Sequence, residues 1–412
     1  MKISKAEKFK ITDTFKGNRN GDLVMVLIVL GLCLFGIIMV FSASYYDSIS
    51  ETGSPYAYLI RQSMWFAMGL VAMILFSRMD YHIWGRVWLI AYVVGLILLI
   101  AVLIPGIGVN INGATRWINV GPITIMPGEI AKICLIFYVS GLYARSPELP
   151  KQFVGMMAII MITGIYAALI LKQPNMSTAF TIIFICGGML LVGGAKIYQL
   201  GLLAGVGAGA GVMLILTSEY RRARLLSFLD PFEDPLGRGY QVVQSLLALG
   251  TGGFKGLGLG NSVQKYLYLP ESQNDFILAI IGEELGFAGI VVLLIVYLVL
   301  IWRGCRAAMR AKDLYGMMLA SGITIMIGVQ VAINVAVVTS SMPPTGVILP
   351  FVSYGGNALL LLMGLIGILW NITRQSEQAD EEIAAERLRL EEESSKKMVK
   401  RNVAVQPGKS FR

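Results

Sequence analysis

Residues 269–286, LPESQNDFILAIIGEELG, place acids where acids are costly. A polar segment carrying Glu271 and Asp275 runs without a break into an apolar stretch of membrane-spanning length, so Asp275 falls at the mouth of that span. Glu283 and Glu284 follow about two turns deeper, at ~1.5 Å per residue. Bilayer hydrocarbon offers charge no solvation, which makes an acid inside a span a functional candidate. Asp275 is the candidate catalytic residue: partial desolvation at an interface raises a carboxylate pKa toward the range useful to a general base. Glu283 and Glu284, adjacent on a helix, are not expected to share one partner. Their expected role is structural, one capping a neighbouring backbone and the other pairing with a base.

Cations surround this acid in the same outer layer. Glu129 and Lys132 are three residues apart and share a helix face, and Pro127 just before them suits a first helical turn. An internal ion pair is the plain reading of the two. Against it, Lys132 has no cheap reason to sit in a membrane segment. Arg116 and Trp117 lie in the loop before, Arg61 and Lys172 at the ends of nearby spans, and Arg221, Arg222 and Lys255 in the longest outer loop. That loop is either a tolerated basic loop or an outward-facing anion site. A base next to cations able to hold an anionic leaving group suggests transfer from a phosphate-linked donor to a hydroxyl acceptor. Asp275 would be catalytic, and Arg116, Trp117, Glu129, Lys132, Arg221, Arg222 and Lys255 would bind substrate.

Other chemistries find little support. His82 is the only histidine, which leaves almost no room for a histidine-built zinc site or a Ser-His-Asp triad. Cys33, Cys134, Cys186 and Cys305 show no paired or metal-like spacing. The acidic turn at Asp230, Glu233 and Asp234 could hold a divalent cation, but surface turns favour these residues anyway. Residues 251–262, TGGFKGLGLGNS, could present N–H groups to phosphate, yet no strand-then-helix pattern surrounds them, and a tight re-entrant turn explains them equally well.

The elements that must position these residues are membrane helices. The 412 residues are 56% hydrophobic and 14% charged, with a mean hydropathy of +0.70. The expected fold is an all-α polytopic membrane protein. Spanning runs fall near 22–42, 58–77, 83–104, 126–144, 153–171, 177–194, 198–217, 276–302, 314–338 and 346–371, about ten helices with both termini on one side. Lys and Arg in the short connections mark that side as the cytoplasm, and the same topology explains the net charge of +9 without nucleic acid. The expected organisation is a cytoplasmic arm over 1–21, a transmembrane domain over 22–372 whose large extracytoplasmic loop covers 218–275, and a charged cytoplasmic tail over 373–412.

Read together and in order, the motifs GATRW at 113–117, PGEIAK at 127–132, Gln173-Pro174-Asn175, Asp230-Pro231-Phe232, Gly239-Tyr240-Gln241, GLGLGNS at 256–262, the segment 269–286, PPTG at 343–346 and LPFVSYGG at 349–356 form a specific set. Over about residues 20–375 the chain resembles the SEDS family of bacterial membrane proteins, which includes FtsW, RodA and SpoVE, and within it FtsW most. The resemblance implies a peptidoglycan glycosyltransferase that polymerises lipid II at the outer membrane face beside a class B penicillin-binding protein. It implies that Asp275 matches the family's catalytic aspartate, Glu129 and Lys132 its fourth-helix pair, and Arg116 and Trp117 its Arg-Trp pair. Further expectations are a role in cell division at the septum with other divisome membrane proteins, no firm cofactor, and a divalent cation (Mg or Mn) as an option. The sequence departs from the family at Gly128 and Asn357, where serine is usual, and at Asn175, where aspartate is usual. The rival functions are a lipid II flippase, an elongation or sporulation polymerase, and a scaffold without chemistry. A transporter would place its polar groups near the midplane, whereas here they concentrate at the outer rim.

Overall fold

In a computed structural model of the chain, the structure describes residues 21–111, 114–121, 123–217, 222, 228–237 and 239–379. The helices are α1 (Leu23–Ala43), α2 (Tyr45–Thr52), α3 (Ala57–Arg78), α4 (His82–Arg86), α5 (Trp88–Ala101), α6 (Pro127–Arg145), α7 (Phe153–Lys172), α8 (Met176–Val192), α9 (Ile197–Leu216), α10 (Tyr240–Gly252), α11 (Ile277–Met309), α12 (Leu314–Val338) and α13 (Gly356–Ala379). Among the described residues six of them, α1, α3, α7, α11, α12 and α13, are long and apolar enough to cross a membrane, and α5 and α8 are shorter apolar helices. The protein is therefore a multi-pass membrane protein, and inner and outer below follow the charge bias of its connections. Side chains such as Leu27, Val71, Ile90, Val154 and Leu298 point outward from the bundle, as helices facing hydrocarbon must. The interior is organised on α12, which packs against α11, α6 and α8.

Each expected span has a helix, with three differences. The run near 83–104 is divided into α4 and α5. The run near 346–371 begins ten residues late, at Gly356, because 343–355 is irregular chain folded back into the bundle. Tyr297 donates to the Pro350 carbonyl, Gln62 Nε2 to Ser353 O at 3.3 Å, and Asn334 Nδ2 to Val347 O at 2.8 Å. Irregular backbone survives at membrane depth only when protein satisfies it in this way.

The third difference is in α11, which is broken at Gly286 (φ +70°). An unbroken helix would bond Phe287 N–H to Glu283 O and Ala288 N–H to Glu284 O. Instead the glycine-rich loop after α10 inserts between the halves. Leu257 N–H and Gly258 N–H donate to Glu283 O and Glu284 O, both at 2.9 Å, while Phe287 N–H and Ala288 N–H donate to Gly253 O at 2.8 Å and Phe254 O at 3.2 Å. These four groups, freed by the break, are paired again, as buried backbone requires. Close approach of the two backbones explains the glycines: a Cβ on Gly286 would strike Gly256 and Lys255, and one on Gly256 would strike the backbone of Glu284. Of the two readings of 251–262, the tight turn is the one the structure bears out.

Arg116 and Trp117, expected in a loop, lie on a three-stranded antiparallel sheet between α5 and α6: β1 (Gly108–Ile111), β2 (Ala114–Val120) and β3 (Ile123–Ile125), in the order β1-β2-β3. At the opposite end of the bundle, His82 lies between two carboxylates, its Nδ1 2.7 Å from Asp80 Oδ1 and its Nε2 3.0 Å from Asp313 Oδ2. Tyr81 O–H donates to Asp313, and Gln375 Nε2 donates to Asp80 at 3.0 Å, so the cluster ties the α3–α4 turn to the start of α12 and the end of α13. Hydrogen bonds to Asp313 and Asp80 raise the His82 pKa to about 9 against the desolvation that would lower it. Burial would raise Asp80 and Asp313, but the bonds from His82 and their other donors prevail and hold each at about 2.

Candidate functional site

The polar centre of the outer half is a cavity of about 240 Å³ walled by β2 and β3, the first turns of α6 and α8, α12, the irregular residues 346–348 and 355, and the first turn of α13. Glu129 and Lys132 line it because Pro127 starts α6 just above them and puts both on the inward face of its first turns. Their charges meet at 2.7 Å, with side-chain exposures of 15% for Glu129 and 3% for Lys132. The pair is thus an ion pair and also a wall of the cavity. Trp117 completes that wall from β2. Alternation along the strand puts Arg116 on the opposite side, where it donates to the Pro174 carbonyl in the α7–α8 turn.

Asp275 sits half-buried two residues before α11. Its Oδ2 lies 3.5 Å from where a Cβ on Gly346 would stand, and Gly346 lines the cavity. The carboxylate therefore abuts the cavity's wall across a residue without a side chain. Asn334 fixes this corner by donating to both Asp275 O and Val347 O at 2.8 Å.

Lys255 is exposed on the loop that fills the α11 break, and Arg222 is exposed in the long outer loop; neither lines the cavity. Arg221 lies outside the described residues. Arg61 and Lys172 are exposed at the ends of their helices.

Glu283 and Glu284 are fully buried and away from the cavity. Glu283 accepts from the Ser262 hydroxyl, from Val263 N–H at 3.1 Å and from Gln264 N–H at 3.3 Å. Glu284 pairs with Lys265 at 3.4 Å and accepts from Ser42 Oγ at 2.6 Å. The division into a backbone cap and an ion pair is as expected. One detail differs, because Ser262 bonds both acids through its hydroxyl and its N–H. The break after Leu285 frees the loop to wrap around the two carboxylates at once.

Two amides of this corner, Gln330 and Asn334, were not singled out from the sequence. Gln330 lines the cavity and Asn334 follows one turn later on the same face of α12, with Oε1 and Oδ1 both buried without a hydrogen-bond partner among the described residues. Two amides four apart in an otherwise apolar span are the signal that could have found them. The departures from the family pattern also lie here. Gly128 and Asn175 are neighbours, a Cβ on Gly128 falling 3.8 Å from Asn175 Nδ2. Asn175 caps α8, its Oδ1 accepting from Thr178 N–H at 3.2 Å and Ser177 Oγ at 2.9 Å. Asn357 donates to the Thr124 carbonyl and so ties α13 to β3 across the cavity rim.

Residues 23–378 match a family model described as "Cell cycle protein" (FtsW, RodA, SpoVE). The chain is 41% identical over 360 residues to stage V sporulation protein E of Bacillus subtilis (strain 168), covering 86% of this chain and 97% of that one. It is 39% identical over 356 residues to a protein named probable peptidoglycan glycosyltransferase FtsW from Geobacter sp. (strain M18), covering 85% of this chain and 96% of that one. In three dimensions it is similar to a chain of a peptidoglycan synthase complex described as coordinating polymerization and crosslinking, with a TM-score of 0.73 and 26% identity over 87% of this chain and 99% of the other. The fold also matches the rod shape determining protein RodA of Thermus thermophilus at a TM-score of 0.65 and 24% identity, over 86% and 97% of the two chains. With its motifs in order from β2 to α13 and the match running over nearly all of its spanning helices, the chain belongs to the FtsW/RodA/SpoVE family.

Proposed function

We propose that the chain is a peptidoglycan glycosyltransferase that polymerises lipid II at the outer face of the bacterial membrane. The observation that carries this is the outer cavity, in which a buried lysine–glutamate pair and Trp117 face a space whose wall Asp275 abuts through Gly346. A growing glycan ends in a sugar bound through an α-pyrophosphate to a polyprenol. Its departure leaves negative charge on the pyrophosphate, and its attacker must lose a proton.

Asp275 accepts the proton of the C4 hydroxyl of the acceptor GlcNAc. The C4 oxygen forms a bond to the anomeric carbon of the donor's terminal MurNAc, and the bond from that carbon to the pyrophosphate oxygen breaks. Attack from the opposite face inverts the α linkage to a β-1,4 bond. The electron pair leaves with undecaprenyl pyrophosphate, stabilised by Lys132 in a site where low dielectric strengthens the interaction. Arg116, at the sheet's other side, and Arg221, Arg222 and Lys255, in the outer loops, would steer the anionic substrate toward the cavity. Trp117 offers a face for a sugar ring, and Glu129 holds Lys132 in position. A divalent cation, Mg or Mn, would arrive with the pyrophosphate that it neutralises; among the described residues no group of three or more His, Cys, Asp and Glu side chains forms a cage for one. The polyprenyl tails would lie along the apolar outer sides of the helices.

The partner that fits this reading is a class B penicillin-binding protein, which would crosslink the strands made here. The likeness to a chain of a peptidoglycan synthase complex supports it. We place the protein at the division septum, with other divisome membrane proteins, a reading in keeping with a family described as cell cycle proteins. Localising a tagged copy to septum, sidewall or spore cortex tests that assignment.

The activity is tested with purified Asp275→Asn protein, lipid II and the cognate transpeptidase. Loss of at least about 100-fold in polymerisation with the fold intact is expected for removal of a general base. Normal polymerisation by this variant would sink the base assignment. A flippase or a scaffold would make no polymer from supplied lipid II even as wild type.

A further inference from the structure

A second cavity of about 240 Å³ opens at the inner end of the bundle, between the start of α1, the last turns of α11 and the end of α13. Arg303, Arg306 and Arg310 enter it from α11, three and four residues apart and therefore on one face. Asp22, the N-cap of α1, pairs with Arg303 at 2.8 Å. Among the described residues Arg306 and Arg310 form no ion pair, and Arg303 Nε is buried without a hydrogen-bond partner. Three guanidinium groups thus converge on one concave space that two carboxylates also line, Asp22, already engaged by Arg303, and Glu377, which is exposed.

The surface leading to this cavity is apolar. Val299 and Trp302 continue the arginine stripe up α11, and Trp302 is 54% exposed, with the Arg306 guanidinium 5.8 Å from its ring centre. Leu23 and Val24 on the cavity wall and Leu27 above them are exposed on α1. Apolar side chains, then a tryptophan, then arginines is the order in which a bilayer changes from acyl chains to headgroups. The positive-inside bias alone does not explain the arrangement, because that bias is satisfied by basic residues anywhere in a connection and needs no cavity shared by three helices.

We propose that this cavity binds the phosphodiester headgroup of an anionic glycerophospholipid of the inner leaflet. Arg306 and Arg310 grip the phosphate oxygens with their planar forks, Arg303 Nε adds a donor, and the acyl chains run between α1 and α11. The bound lipid would hold together the first, eighth and last spans at their inner ends, far from the outer cavity.

Native mass spectrometry of the full-length protein, titrated separately with phosphatidylglycerol, phosphatidylethanolamine and inorganic phosphate, tests the proposal. One phosphatidylglycerol is expected to be retained in preference to the other two. The double variant R306Q/R310Q is expected to weaken its binding by roughly tenfold or more, from ~1 kcal/mol per interfacial basic residue. Lys151→Gln, which removes an exposed lysine on the same side outside the cavity, is expected to leave it unchanged. Equal retention of phosphatidylethanolamine would overturn the recognition of net charge, and competition by inorganic phosphate at the same concentration would make this a free-anion site. Equal loss in Lys151→Gln would reduce the effect to general surface attraction. If the double variant does not fold, Arg310→Gln alone, at an exposed position, decides the matter with an expected loss of about fivefold.

Discussion

Two acid–lysine pairs in the outer half of this protein have the same chemistry and opposite surroundings. Glu129 and Lys132 are three residues apart on one helix and open on a cavity of about 240 Å³. Glu284 and Lys265 come from distant segments and are roofed over, with Glu283 beside them, by backbone N–H groups, Ser42, Ser262 and the Gly260 carbonyl, which Lys265 contacts. Glu283 accepts through both oxygens and Glu284 through Oε1, its Oε2 being buried without a hydrogen-bond partner, so these acids hold segments together; an acid whose neighbour is empty space can meet a substrate. Charge in a membrane segment marked Glu129, Lys132 and Glu284 alike, and only accessibility separates the two pairs.

The comparison breaks if the buried pair can be removed at little cost. Glu283→Ala strips partners from Ser262, Val263 and Gln264 inside a fully buried network and is expected to destabilise the protein by about 3–5 kcal/mol. Thermal unfolding in detergent reads this, and activity per folded molecule should fall less than in the Lys132 variant below. Lys132→Met should do the reverse: polymerisation falls by roughly 10- to 100-fold, corresponding to about 1.5–3 kcal/mol for a charge-assisted contact, while most protein remains folded. Unchanged kinetics in that variant would return Glu129 and Lys132 to a plain structural ion pair.

Gly286→Ala sharpens the contrast from the backbone side. It adds a Cβ to a residue at φ +70° against the inserted loop, for an expected loss of about 1–3 kcal/mol and a lower unfolding temperature. The smallest effect is expected at the inner end, where the His82 side chain is 41% exposed. Because its pKa is raised from 6.5 to about 9, the protonated bridge stabilises the fold fully below pH 6.5 and is lost as pH rises through about 9. Asp80 and Asp313, lowered to about 2, contribute above their ordinary value of 3.8 and fade only as pH falls toward 2. His82→Ala should therefore abolish a slight fall in unfolding temperature between pH 7 and 10, and a wild-type protein with no such fall would contradict the bridge.

Much of the site was legible because the chemistry is local. Glu129 and Lys132 announce their pairing by spacing, and Pro127 announces the helix start above them. Asp275 was legible as an acid at a helix mouth. Arg116 and Trp117 were legible as a pair but not as strand neighbours facing opposite sides, because a short sheet between membrane helices carries a weak signal. Gln330, Asn334 and the Asp80–His82–Asp313 cluster were not legible: amides draw no attention in a charge-based reading, and the two aspartates stand 233 positions apart in the chain.

By itself the sequence determined the membrane class, a helix within each spanning run and the acid at the mouth of α11, because hydropathy and helix periodicity act over a few turns. Only the tertiary structure decided that α11 is broken at Gly286, that 343–355 folds back into the bundle, and that Asp275 abuts the cavity holding Lys132. The physical reason is that a break or an irregular segment inside hydrocarbon exists only when distant backbone completes its hydrogen bonds, and that pairing is set by packing across the whole chain.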